Sequence, residues 1–253
     1  KEKLAQGMEY DCECKDEKLK THFDIHFQPI NPFGGLAEQE ESFAAVSIQD
    51  VTERKQLELS LQDANAQLAI ERDKADNILL NVLPRPIAER LKAGENPIAE
   101  YHDQATVLFA DLVGFTPLTV ALAPRQLMEI LNTIFSTFDS MTQKHGVEKI
   151  KTIGDAYMAV AGIPDRVTDH AQRIGKLALG MLNIMNVIND HVGIDLELRI
   201  GIDSGHVVAG VIGSAKFSYD LWGDVVNTAS RMESTGQAGK IQVTDRAYEI
   251  LKD

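Results

Sequence analysis

The chain is short of cysteine, of long apolar runs and of positive charge, and each shortage excludes something. Two cysteines among 253 residues cannot build a disulfide scaffold. They are Cys12 and Cys14, a C-x-C whose members fall on one side of what reads as a strand. A zinc site would need a second such pair. A reduced pair in a cytosolic protein is the simpler reading. No apolar run reaches the roughly 18 residues of a membrane span, and no signal peptide is visible. A cytoplasmic chain is expected, with tethering through sequence upstream of Lys1 left open. The start at Lys1 rather than Met suggests a piece of something longer. The net charge is -13, from 25 Lys and Arg against 38 Asp and Glu. Such a surface argues against non-specific nucleic-acid binding. It leaves a nucleotide substrate possible, because a few local cations and metal ions can hold one. With 44% hydrophobic and 25% charged residues, the composition is that of an ordinary globular protein, long enough for one large or two small domains.

Three segments differ in pattern. Residues 1–52 suggest strands over Met8–Lys15, Thr21–Gln28 and Ser42–Asp50, separated by turn material such as Asn31-Pro32-Phe33-Gly34-Gly35. In the second strand Phe23, Ile25 and Phe27 alternate with polar residues, which predicts one buried face. Residues 53–83 place Leu57, Leu61, Ala64, Leu68, Ala75, Ile78 and Val82 at alternating spacings of four and three, with Glu71 in the one polar slot. This heptad seam predicts a parallel two-stranded coiled coil, against the alternative of an amphipathic helix lying on its own domain. Pro84 and Pro86 stop the helix. Residues 84–102 then read as a connector, with a short helix over Ile87–Lys92.

Residues 103–253 form the largest unit. Strands are expected over Ala105–Asp111, Val147–Ile153, Ala156–Ala161, Leu196–Ile202, His206–Ile212 and from Ile241. The fifth is joined to the fourth by a turn at Asp203-Ser204-Gly205. Helices are expected over Pro124–His145, Asp169–His191 and Asp224–Thr235. The order β-α-β-β-α-β-β-α-β is an α+β arrangement, a sheet with helices packed on it. Two acids stand at its turns. Asp111 ends an apolar strand and enters Gly114-Phe115-Thr116, and Asp155 sits at a hairpin tip after Gly154. The two positions are neighbours in a βαββ unit and suit hard divalent cations, and the backbone N–H groups after Asp111 suit phosphate. Each Asp alone would pass as a turn residue.

Phe109-Ala110-Asp111-Leu112-Val113-Gly114-Phe115-Thr116 resembles the first metal-binding motif of the class III adenylyl and guanylyl cyclases, and Lys149–Met158 resembles the second. Arg199–Gly205 with Val208–Gly213 resembles the dimer-arm region, and Tyr219–Glu233 the transition-state motif. The four occur in the family's order. The resemblance implies a ferredoxin-like catalytic domain that turns ATP into cyclic AMP and pyrophosphate at a homodimer interface. It implies that Asp111 and Asp155, with the Leu112 carbonyl, hold two ions, Mg²⁺ or Mn²⁺, and that Gly114, Phe115 and Thr116 line the phosphates. Asn227 would orient the ribose, Arg231 would meet transition-state charge, and Lys151 and Asp220 would read the base. A Lys donates to adenine N1 and an Asp accepts from its amino group, whereas guanine presents the opposite pattern. Guanylyl cyclases typically carry a Glu and a Cys or similar there. Lys151 as a solvated strand lysine is the plain alternative.

Two departures and one further likeness complete the reading. The family usually continues into a hairpin bearing a phosphate-gripping Lys, beyond Asp253. His206 departs from the residue expected at its place and carries no assigned role. Ser47–Lys55 resembles the junction at which PAS sensor domains hand over to a signalling helix, so residues 1–52 would be the end of such a domain, with its ligand unknown. A guanylate cyclase and a catalytically inactive regulatory module are the alternatives to an adenylate cyclase.

Overall fold

The structure is a computed structural model that describes residues 10–16, 21–30, 43–213 and 217–252. The chain divides into two compact units, Lys1–Asn77 and Ile78–Asp253. In the first, β1 (Tyr10–Asp16), β2 (Thr21–Ile30) and β3 (Phe43–Asp50) form an antiparallel sheet in that order. Residues 8, 9 and 42 of the expected strands lie outside the described residues. The pairing places Cys12 opposite Ile25 and Ile25 opposite Ile48, so apolar side chains share one face. That face is only partly covered, with Ile25 intermediate and Ile48 64% exposed. Cys12 and Cys14 are both free thiols.

Helix α1 (Thr52–Leu80) starts where the sequence turns polar. Thr52 bonds the Asp50 carboxylate, Arg54 pairs with Asp24 and Lys55 with Glu13, so the first turn is tied to the sheet. No α1 residue is buried, and Leu57, Leu61, Leu68 and Ile78 are all more than half exposed. Among the described residues, no helix is long and apolar enough to cross a membrane.

The second unit is built on a six-stranded sheet. After a stop at Pro84 comes α2 (Arg85–Lys92), then β4 (Ile98–Val113), α3 (Phe115–Ala121), α4 (Pro124–His145), β5 (Glu148–Ile153) and β6 (Ala156–Ala161). There follow α5 (His170–Val192), β7 (Glu197–Ile212), β8 (Ser218–Trp222), α6 (Asp224–Ser234), β9 (Lys240–Val243) and α7 (Asp245–Leu251). The strands pair as β5-β6-β4-β7-β8, antiparallel, with β9 added parallel to β7.

Both faces of this sheet are covered. Leu108, Ala110 and Leu112 of β4 pack in one core with Ile134 and Phe138 of α4 and Leu177 and Met181 of α5. Val107 and Phe109 pack in a second with Ile87 of α2 and Val225 and Ala229 of α6. A strand stretch buried on two sides reads as an unbroken apolar run, as Val107–Ala110 of β4 does.

Two strands are longer than the sequence suggests. β4 begins at Ile98 and carries a bulge between His102 and Ala105. The expected turn at Asp203-Ser204-Gly205 is instead the middle of β7. Asp203 is fully buried, accepting from the Ser204 N–H, from Thr244 Oγ1 at 2.6 Å and from the Arg246 guanidinium. Ser204 bonds Thr106 at 2.7 Å. Polar residues that signal a turn are here satisfied by neighbouring elements, so the strand continues through them.

Candidate functional site

The site grows from the end of β4. Asp111 pairs in register with Ala156 of β6 on one side and Arg199 of β7 on the other. Asp155 immediately precedes Ala156, so the β5–β6 turn delivers the second carboxylate beside the first. Their proximity is felt electrostatically. Burial and then the Asp155 charge raise the Asp111 carboxyl above its ordinary range, against the lowering pull of Arg199.

Beyond Asp111 the chain turns sharply. Gly114 has φ 90°, a conformation that costs glycine nothing, and it opens α3. Phe115 is buried and anchors that helix, Thr116 is exposed, and Leu112 is buried opposite Leu198. The donors available are two carboxylates and backbone carbonyls, all hard oxygens. Among the described residues no group of three or more His, Cys, Asp or Glu could hold a metal ion. A carboxylate pair without a full protein cage fits an ion such as Mg²⁺, which keeps several waters and takes phosphate oxygens.

Arg199 was not singled out by sequence reasoning, and the structure puts it at the centre. Its Nη2 donates to Asp111 Oδ2 at 3.0 Å and its Nε to Glu233 Oε1 at 2.7 Å. Glu233 lies on the buried side of α6 at 8% exposure. Burial lifts its carboxyl above the usual range, Arg199 pulls it down, and Asp111 and Asp155 push it up again. Both residues lie inside stretches that carry the family likeness, but nothing in their spacing marks them as partners.

Lys151 and Asp220 come from strands at opposite ends of the pairing order, yet their side chains form an ion pair. Sheet twist and curl bring the two edges together. Both groups remain partly exposed, so a ligand can reach them.

Asn227 and Arg231 sit one turn apart on α6. Val225, Ala229 and Glu233 form the buried side of that helix. At about 3.6 residues per turn, Asn227 and Arg231 therefore project from the opposite, exposed side. Neither side chain forms a hydrogen bond or ion pair among the described residues. The chain thus unites Asp111 with Asp155 and Lys151 with Asp220, and turns Asn227 and Arg231 away from its own sheet.

A sheet carrying paired acids beside a tight glycine turn, with an Asn/Arg helix facing outward, defines a nucleotidyl cyclase catalytic domain. Residues 98–253 match the family described as "Adenylate and Guanylate cyclase catalytic domain", and the chain belongs to it. It is 49% identical over 191 residues to an adenylate cyclase of Mycobacterium tuberculosis, covering 75% of this chain and 43% of that protein. It is 38% identical to the human guanylate cyclase soluble subunit beta-2, covering 97% of this chain and 41% of that protein. The chain therefore spans less than half the length of these curated relatives. Among solved structures, the catalytic core of a rhodopsin-guanylyl cyclase with converted specificity, in complex with ATPalphaS, superposes with a TM-score of 0.59 at 40% identity. That match covers 61% of this chain and 84% of the other.

Proposed function

We propose that this domain is an adenylate cyclase, converting ATP to 3′,5′-cyclic AMP and pyrophosphate. The observation that carries the reading is the Lys151–Asp220 pair. A cation and an acceptor held together present the edge that adenine N1 and its amino group complement. Guanine would set a donor against Lys151 and an acceptor against Asp220, a mismatch costly in a water-poor pocket.

Asp111, Asp155 and the Leu112 carbonyl would hold two divalent ions, Mg²⁺ or Mn²⁺, which would supply positive charge to offset that of the phosphates. Gly114, Phe115 and Thr116 place backbone N–H groups along the triphosphate. The ribose 3′-oxygen bonds to the α-phosphorus, its proton passes to solvent, and the bond to pyrophosphate breaks. Asn227 orients the ribose. Arg231 donates to the α-phosphoryl oxygens as their charge grows, a task suited to a permanently charged planar group. Because Asn227 and Arg231 face away from their own acids, a second copy of the chain supplies them, and each site spans a homodimer.

The three-stranded sheet of residues 1–52 is the end of a PAS-like sensor domain. The exposed seam of residues 53–83 is a coiled coil that joins two copies, and residues 84–102 connect it to the catalytic domain of residues 103–253. A signal changes how the two helices meet and so how the catalytic halves close.

Guanylate cyclisation is the second reading, favoured by the likeness to the human guanylate cyclase subunit. Cyclic nucleotide formation from ATP and from GTP, with either metal, separates the two. ATP is expected to be the better substrate, with activity lost in Asp155→Ala. The double change Lys151→Glu with Asp220→Cys is expected to lower kcat/KM for ATP by about a hundredfold and favour GTP. GTP preferred by the unaltered chain overturns the assignment. No product from either nucleotide in a folded dimer points to a regulatory module.

A further inference from the structure

Two partly buried carboxylates side by side repel each other, and the fold offsets this with a cation of its own. Arg199 reaches Asp111 Oδ2, on a carboxylate that a divalent ion would also take. A guanidinium has only donors and cannot join a coordination shell, and its positive charge beside that carboxylate opposes the charge of an ion binding there. Its Nε is engaged by a second carboxylate, Glu233. That second contact uses a different nitrogen and a different acid. It joins two elements in direct contact. β7 and α6 approach so closely at Gly201 that an added Cβ would lie 2.0 Å from the Glu233 backbone nitrogen. This close seat sets Glu233 within reach of Arg199 on the adjoining strand.

We propose that Arg199 is a built-in counter-cation at Asp111 whose charge an incoming divalent ion must compete with, and that Glu233 holds the guanidinium beside the site. Before metal arrives, Arg199 shields the acids from each other. When metal arrives, it draws on the same carboxylate, and the Glu233 contact keeps both Glu233 and the guanidinium paired. The consequence is a metal site weaker than its two carboxylates alone would make it. Occupancy then depends on the extra negative charge that a triphosphate brings, which ties metal loading to nucleotide binding. Glu233 is a positioning residue in this scheme.

The proposal rests on the metal-site reading above, and its test separates the two. Mn²⁺ binding to the nucleotide-free protein, followed by electron paramagnetic resonance or calorimetry, is measured for the unaltered chain and its variants. Arg199→Gln removes the competing charge and is expected to tighten Mn²⁺ binding by about tenfold or more, while Arg199→Lys keeps the charge and stays within about threefold. Arg199→Gln combined with Glu233→Gln avoids stranding a buried carboxylate and is expected to bind more tightly than the unaltered chain as well. Asp111→Asn is expected to abolish binding in every background. Mn²⁺ binding that needs Asp111 but is no tighter in both Gln variants overturns the counter-cation role alone. Mn²⁺ binding that ignores Asp111, or is absent throughout, overturns the metal site and this proposal with it.

Discussion

His170 shows how one buried side chain shapes the response to pH. Its Nδ1 meets Thr106 Oγ1 at 2.7 Å, and Thr106 in turn bonds Ser204, all three under 5% exposed. Burial lowers the His170 pKa, and the neighbouring Asp169 charge only partly opposes this. The folded state therefore holds the neutral ring, while the unfolded chain takes up a proton near 6.5. Stability from this group is complete above that value and is lost as pH falls below it, because the unfolded state then binds more protons. Thermal melts between pH 7.5 and 5.5 are expected to show a falling midpoint, with a shallower slope in His170→Gln. The same slope in both forms assigns the acid response to other groups. None of this was readable beforehand, since His170 looks like any residue at a helix start. A family pattern marks Lys151 and Asp220 in the sequence, and the fold pairs their side chains although 69 residues separate them.

At the scale of elements, α6 and β7 matter most. Gly201 gives α6 its seat, since any side chain there would meet the Ala229 carbonyl at 2.4 Å as well as Glu233. Gly201→Ala is expected to cost about 3 kcal/mol in denaturant unfolding, as overpacking does. It should also reduce kcat more than KM, because the helix carrying Asn227 and Arg231 tilts. Unchanged stability and turnover would show that the helix has room to shift. The helices over Thr52–Leu80, Pro124–His145 and His170–Val192 were legible from apolar spacing and from proline or glycine stops. The continuity of β7 was not. Asp203-Ser204-Gly205 has turn chemistry, and only Arg246 and Thr244, some forty residues on, explain why Asp203 stays in a strand.

At the scale of the whole molecule, the outward pose of Asn227 and Arg231 makes complementation the decisive experiment. Asp155→Ala and Asn227→Ala are each expected to be inactive alone. Random re-pairing of the two restores one intact site in each mixed dimer, so roughly a quarter of the unaltered activity should return. Recovery of nothing would mean that each site lies within one chain. Composition alone pointed to a globular, acidic chain, local periodicity to its helices and strands, and four motifs in order to a cyclase domain. These are properties of neighbours along the chain or of a pattern already familiar. Tertiary structure alone decided the Asp111–Arg199–Glu233 bridge, the burial of Asp203 and the side of α6 that faces outward. Each of those depends on strand pairing and helix seating between distant segments, and no local sequence signal encodes which distant partner a charge will meet.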